Sequence, residues 1–245
     1  VIDEMHAYRG VFGSHVANVL RRLKRISRFY GSQPQFILTS ATIANPKELA
    51  EGLIEKPVKV IDQDGSPHGE RHFLIYNPPL IDKKLGIRQS SLLEGSLLAS
   101  ELIEEKIQTI VFGRTRRSIE LILTYIRQRS PGDNPDRIRG YRSGYLSKER
   151  RAIEEGLRRG EVQGVVATSA LELGIDIGGM DASVLIGYPG SIAGTRQQAG
   201  RAGRKLAPSL SILVTSANAM DQYLARHPEY FFDRSPERAL IAPNN

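Results

Sequence analysis

The 245-residue chain has no cysteine. Without thiols it can form neither disulfides nor thiolate metal sites, which excludes disulfide-stapled scaffolds and fits a reducing compartment. Its five histidines show no metal-ligand spacing, and no Cys is present to complete a zinc set. No apolar run approaches the roughly 18 residues that a membrane span needs. No charged-then-apolar leader follows Val1, so no signal peptide is expected. No G-x-x-x-x-G-K-[ST] segment occurs, so the lysine such a loop brings to the β and γ phosphates of a nucleotide is missing from these residues.

What is present reads as an ordinary globular protein. Hydrophobic residues make up 40% and charged residues 25%, too apolar a mixture for a disordered chain. The length suits one and a half to two domains. Thirty-four Lys and Arg stand against 27 Asp and Glu, a net charge of +7 with a pI near 9.7. Such an excess points to a polyanionic partner, nucleic acid first, although charge alone reads equally as a basic solvated surface.

Short β-branched runs alternate with helical patterns, which predicts an α/β fold with a parallel sheet built from βαβ units. Val1-Ile2 reads as the end of an apolar strand, which predicts a segment of a longer chain. His15, Val16, Val19, Leu20, Leu23 and Ile26 share one helical face. Arg21, Arg22, Lys24, Arg25 and Arg28 fall on its polar side, where a solvated face is expected. A strand is expected at Gln35–Leu38 and another at Val58–Ile61. Between them, Asn45-Pro46-Lys47-Glu48 reads as a helix start with an Asn N-cap and a capping box. Asp62–Gly69 and Asn77-Pro78-Pro79 are turn-forming, and a domain boundary is expected at 75/76. Beyond it lie helix 92–107, strand 109–112, helix 118–129, helix 148–159, strands 164–167 and 182–187, a helix through 197–204, strand 211–215 and a last helix at 220–226.

Four constellations carry chemistry. Asp3-Glu4 closes an apolar strand, and ligands of open α/β sheets sit beyond the carboxyl ends of strands. One carboxylate there can hold Mg²⁺ and its neighbour can orient a water, although an Asp-Glu pair by itself also reads as a solvated turn. Ser40-Ala41-Thr42 also follows a strand. It can relay hydrogen bonds from a site, and equally can cap a helix. Thr168 to Asp176 leaves a buried strand through hydroxyls and Gly174; Thr168 can donate to a nucleic-acid phosphate and Asp176 can hold a ribose hydroxyl. In Gln197-Gln198-Ala199-Gly200-Arg201-Ala202-Gly203-Arg204, two arginines three apart point the same way on a helix, with glycines clearing space for phosphate oxygens.

The order Asp3-Glu4-Met5-His6, Ser40-Ala41-Thr42, Val111-Phe112-Gly113-Arg114-Thr115-Arg116, Thr168 to Asp176 and Gln197 to Arg204 resembles motifs II to VI of the superfamily 2 helicases. The stretches Tyr8 to Val16, Tyr188-Pro189-Gly190-Ser191-Ile192-Ala193 and His227-Pro228-Glu229-Tyr230-Phe231-Phe232 are similar to the DNA-repair branch that includes the bacterial mitomycin-repair helicases with a C-terminal cysteine-rich domain. The large helicase-related branch is the runner-up.

The resemblance implies two RecA-like parallel-sheet domains. Residues 1–75 would be the later part of the first, truncated at its N-terminus, and 76–245 the second. It implies an ATP-dependent DNA helicase or translocase of 3′-to-5′ polarity acting in repair, with ATP and Mg²⁺ in the cleft between the domains and single-stranded or tailed DNA as partner. The location it implies is the cytoplasm of a bacterium or archaeon, or the nucleus of a eukaryote. Residue by residue, Asp3 would coordinate Mg²⁺ and Glu4 act as general base, with His6 and Gln197 coupling the domains. Ser40 and Thr42 would link hydrolysis to grip on nucleic acid, and Arg201 and Arg204 would be arginine fingers. Gly174, Asp176, Gly200 and Gly203 would lie at the nucleotide. Arg114, Thr115, Tyr141, Arg142 and Thr168 would face the DNA backbone. Two departures stand out: the missing P-loop, and Arg196 where that branch is expected to carry an aromatic. The competing class is a half-motor that binds nucleic acid or a partner without hydrolysing ATP.

Overall fold

The structure, a computed structural model, describes residues 1–67, 69–129, 135–141, 146–168, 180–203 and 206–244. The chain divides into two compact units. Unit 1 comprises residues 1–65 together with 235–245, and unit 2 comprises 66–234. The division precedes the expected boundary at 75/76 because strand β1 (Arg71–Tyr76) is hydrogen-bonded into the sheet of unit 2.

Unit 2 is a six-stranded parallel sheet in the order β1-β8-β7-β4-β6-β5. Its members are β1, β4 (Thr109–Phe112), β5 (Ile138–Tyr141), β6 (Gly164–Ala167), β7 (Ala182–Ile186) and β8 (Ser209–Val214). A separate antiparallel ribbon, β2 (Leu80–Asp82) with β3 (Ile87–Arg88), follows β1. Strands β4, β6 and β7 are buried at every residue, as expected of parallel strands covered on both faces. Successive side chains alternate between two cores. Val111, Val166, Val184 and Val214 pack with Ala99 and Ile103 of helix α3 (Ser91–Glu104) and Ile119, Ile122 and Ile126 of α4 (Arg116–Arg129). Ile110, Phe112, Val165, Leu185 and Leu213 meet the opposite layer. That layer holds α5 (Ser147–Arg159), α6 (Ile192–Ala199), α7 (Ala219–Arg226) and α8 (Glu229–Phe232). The expected α/β parallel architecture is borne out here.

Strand β1 escaped sequence reading because it is an edge strand with half its residues exposed, set among turn-forming neighbours. The helix expected through 197–204 is also shifted. It runs from Ile192 to Ala199, with Ser191 accepting a cap bond from the Gly194 N–H, and Gly200 closes it. Arg201 therefore lies beyond the helix. Gly203 adopts φ +81°, and a Cβ there would fall 2.3 Å from Ser209 Oγ.

Unit 1 is built on α1 (Gly10–Phe29) and α2 (Pro46–Ile54). Residues 1–5 run along 37–39 through a parallel bridge, Ile2 with Leu38. The Met5 N–H donates to Thr39 O at 2.8 Å and the Thr39 N–H to Ile2 O at 2.9 Å. Gln35–Leu38 contributes only this bridge, and the strand expected at Val58–Ile61 is absent. Helix α1 buries Gly13, Ala17 and Lys24, while Val19, Leu23 and Ile26 of the expected apolar face stay exposed.

Lys24 corrects the expected solvated cationic row. Only 6% exposed, its Nζ donates to Ile54 O at 2.6 Å and to Glu55 Oε2 at 2.9 Å, closing the C-terminus of α2. The side-chain hydrogen bonds from Arg21 and Lys24 pull the Glu55 carboxyl down to about 2.

The C-terminal segment completes unit 1. Asn45 donates to Ala239 O at 3.0 Å and accepts from the Ala239 N–H at 2.8 Å. It stands at the N-cap position of α2 yet makes no cap bond there, and Pro46 follows it. The Gly10 N–H donates to Leu240 O at 2.7 Å, and the Ala242 N–H donates to Ser14 Oγ at 2.9 Å. A Cβ on Gly13 would fall 2.4 Å from Tyr8 O and 2.6 Å from Ile241 Cγ2, so glycine is required chiefly by the Tyr8 backbone, with Ile241 packed close beside it.

Candidate functional site

In unit 1 the structure brings two sequence motifs, 35 residues apart, into one cluster. Asp3 Oδ1 accepts from the Glu4 N–H at 2.9 Å and from Thr39 Oγ1. Those bonds, Thr39 first, hold the exposed Asp3 carboxyl below its ordinary range, so it is a carboxylate at neutral pH. Among the described residues no donor reaches Oδ2. Glu4 sits in the left-handed region at φ 51°, ψ 43°, a conformation that costs a non-glycine residue energy. Its Oε2 lies 3.5 Å from His6 Nδ1.

His6 is 9% exposed. Its Nδ1 accepts the Ala41 N–H at 3.1 Å, which assigns the proton to Nε2. Burial is the main cause that lowers its pKa, so the ring is neutral at pH 7. Nε2 has no partner. A buried N–H donor without an acceptor is rare in a folded protein and asks for an explanation. Ser40 is exposed and donates to Ala41 O at 2.9 Å; Thr42 is half-buried one residue further on. Thr39 was missed by sequence reading. Its signal was adjacency: a hydroxyl immediately before Ser40, at the end of the bridge that carries Ile2.

In unit 2 part of the candidate set follows the carboxyl ends of the strands. All six strands are parallel, so residues following their carboxyl ends share one edge: Arg114 and Thr115 after β4, and Thr168 after β6. Arg114 is exposed, and its stem flanks Gly187 after β7, where an added Cβ would lie 3.4 Å from Arg114 Cδ. Thr115 caps α4. Its Oγ1 accepts the Ser118 N–H at 3.0 Å, and its own N–H donates to Ser118 Oγ at 2.9 Å. Thr168 is half-buried.

Tyr141, expected to face DNA, is instead withdrawn from the surface. It is among the largest fully buried side chains, at 1% exposure. The β alternation turns it into the core, where its hydroxyl donates to Glu154 Oε1 at 3.1 Å. Burial first, then Glu154, raises its pKa. Gln197 is half-buried on α6, and Arg201 is buried at 6% exposure with interactions inside the protein. Gly200 is the C-cap of α6, and Gly203 meets the packing demand already described. Arg196 donates from Nη2 to Phe231 O at 2.8 Å, tying α6 to α8. Arg142, Gly174, Asp176 and Arg204 lie outside the described residues. Among the described residues no helix is long and apolar enough to cross a membrane, and no cluster of three metal-ligating side chains occurs.

Residues 93–205 match the helicase conserved C-terminal domain. The whole chain is 58% identical to an uncharacterized ATP-dependent helicase, YprA, of Bacillus subtilis, covering 33% of that protein. It is 41% identical to the ATP-dependent helicase hrq1 of Schizosaccharomyces pombe, over 93% of this chain and 22% of hrq1. Among solved structures, the DUF1998 helicase MrfA bound to DNA and AMPPNP matches with a TM-score of 0.95 at 58% identity, over 100% of this chain and 34% of that one. The chain thus spans about a third or less of the length of these relatives.

Proposed function

The chain belongs to the ATP-dependent helicases that carry the helicase conserved C-terminal domain, and on that premise we propose that it forms part of the ATP-hydrolysing motor of a DNA translocase. The observation that carries the reading is the cluster in unit 1: the Ala41 N–H on His6 Nδ1 and Thr39 on Asp3 join the acidic motif to the Ser-Ala-Thr motif and leave a neutral, buried Nε2–H with no acceptor among the described residues.

The residues fit a magnesium nucleotide. Asp3 is an exposed carboxylate with one oxygen fixed and the other open, and Mg²⁺ characteristically takes one or two carboxylates together with substrate phosphates. When bound, Mg²⁺ neutralises phosphate charge. Glu4 accepts a proton from an attacking water. His6 donates from Nε2, and its Ala41 bond passes any movement of that ring to Ser40 and Thr42. In unit 2, Arg201 and Arg204 act as arginine fingers and Gln197 as a coupling residue, with Gly200, Gly203, Gly174 and Asp176 at the nucleotide. Arg114, Thr115, Arg142 and Thr168 contact the backbone of single-stranded or tailed DNA. The reading includes 3′-to-5′ movement, a role in DNA repair, and a cytoplasmic location in a bacterium or archaeon or a nuclear one in a eukaryote. MrfA, solved with DNA and AMPPNP, supports the ligand classes.

The competing reading, a binding module without hydrolysis, draws on the lack of a G-x-x-x-x-G-K-[ST] segment within these 245 residues. One assay separates the two. In the full-length protein, Glu4→Gln is expected to cut DNA-stimulated ATP turnover by at least about 100-fold, the usual reach of a general base, while nucleotide and DNA affinities persist. Turnover equal to that of the unaltered protein would remove Glu4 from the mechanism. No turnover in either protein would favour the module.

A further inference from the structure

The ribbon β2–β3 is built unlike the rest of unit 2. An isolated two-stranded ribbon is marginal in water, yet this one exposes Leu80, Ile81, Leu85 and Ile87, with Ile81 70% and Leu85 73% exposed. Lys83 and Lys84 stand exposed at its turn. Asp82, the one carboxylate between residues 78 and 90, spends Oδ1 on the Lys84 and Leu85 N–H groups at 2.8 and 3.0 Å. Three cations, Lys83, Lys84 and Arg88, therefore face one occupied acid.

The base is fixed, and fixed to the right place. Arg88 donates from Nη1 to Pro78 O at 2.7 Å and from Nε to Gln222 Oε1 at 3.0 Å. Gln222 and Asn77 exchange reciprocal amide bonds at 3.2 and 3.1 Å, and Gln222 also donates to Ser216 O at 2.8 Å. Asn77 and Ser216 lie just beyond the carboxyl ends of β1 and β8, at the sheet edge that carries Arg114. Asp221, the neighbour of Gln222 on α7, flanks Gly187 opposite Arg114: a Cβ on Gly187 would lie 3.5 Å from Asp221 Oδ2 and 3.4 Å from Arg114 Cδ. A hydrogen-bonded polar junction thus anchors the ribbon at the sheet edge that also carries Arg114.

We propose that the ribbon Leu80–Arg88 is a nucleic-acid contact of this unit, Lys83 and Lys84 taking backbone phosphates and Leu85 and Ile81 lying against bases. This rests on the helicase reading. Cations supply affinity that falls with salt, and apolar contact with bases supplies affinity that does not. A basic, aliphatic tip on a fixed stem offers both. A protein partner would use the aliphatic side chains and have less use for the cations.

The test uses the full-length protein and a fluorescent duplex with a single-stranded tail, titrated across salt. Lys83→Ala with Lys84→Ala is expected to weaken low-salt binding about tenfold and to flatten the slope of log affinity against log salt by about 1.4, at ~0.7 per single-strand phosphate contact. Leu85→Ala is expected to weaken binding with the slope unchanged. Both sites are exposed, so melting temperatures should match the unaltered protein. Unchanged affinity and slope in the double variant, with Arg114→Ala still weakening binding, would overturn the ribbon contact and leave the helicase reading intact. Unchanged DNA binding with self-association lost in sedimentation would overturn it in favour of a protein contact. No DNA binding by the unaltered protein would defeat the helicase reading, and this proposal with it.

Discussion

Unit 2 closes both faces of its sheet, whereas unit 1 leaves much of its longest helix uncovered. Beneath α3 and α4, and beneath α5 to α8, strand after strand is buried. On α1, by contrast, Val11, Phe12, Val19, Ile26 and Phe29 are exposed, and the buried positions are a glycine, an alanine and a lysine. Unit 2 buries its apolar residues in two clusters, one on each face of the sheet; unit 1 has one smaller cluster around Leu49, Leu53 and Ile54, to which the returning segment adds Ala239. The chemistry divides the same way. The cluster around Asp3 and His6 is held by backbone amides and a hydroxyl, while the candidates of unit 2 are set by where a packed sheet ends.

The comparison predicts different weak points. In unit 2, Ile122→Ala empties a wholly buried position between α4 and the sheet. A loss of about 3 kcal/mol is expected, to be read as an early thermal transition and faster amide exchange confined to 66–234. Spread of that exchange equally into 1–65 would break the distinction between the units. In unit 1, Asn45→Ala strands the buried Ala239 N–H and C=O, at a cost of about 2 kcal/mol. Exchange should rise across 10–20 and 237–243 while strands β4 to β8 stay protected. Protection unchanged at 237–243 would mean that the returning segment does not depend on Asn45.

The smallest expected effect is electrostatic. Glu55 titrates in the folded protein at about 2, below its ordinary 4.5. A depressed carboxyl contributes stability that is present above about pH 4.5 and lost as pH falls toward 2. Glu55 is 40% exposed, so solvent screening keeps the contribution small. In urea unfolding, Glu55→Gln should be slightly less stable than the unaltered protein at pH 7, with the gap closing as pH falls through that window. A gap of equal size at pH 7 and pH 2 would assign its role to packing.

Much of this was legible from residue order. Strand 109–112 and the helices around α3, α4 and α5 follow from continuous apolar runs and a 3.6-residue period, which are local properties. The motif residues were legible because their types and order carry chemistry. The failures share a cause. Strand β1 carries the β-forming run Phe73-Leu74-Ile75-Tyr76, but turn-forming segments on both sides obscured it, and its ladder with β8 identifies it. Tyr141 reads as a surface aromatic before a basic residue until the pleat of β5 turns it inward. Lys24 reads as one of five helix cations until Ile54 O and Glu55 arrive from 30 residues away.

By itself, the order of residues determined the alternation of strands and helices in unit 2, its basic charge and the identity of the groups able to do chemistry, because periodicity and side-chain type are written residue by residue. Only the tertiary structure decided which atoms are committed and which, among the described residues, remain open: Asp3 Oδ1 bound but not Oδ2, His6 Nδ1 occupied and Nε2 without an acceptor, Tyr141 withdrawn from the surface. Burial and hydrogen-bond partnership depend on neighbours brought together from distant parts of the chain, and no local pattern encodes them.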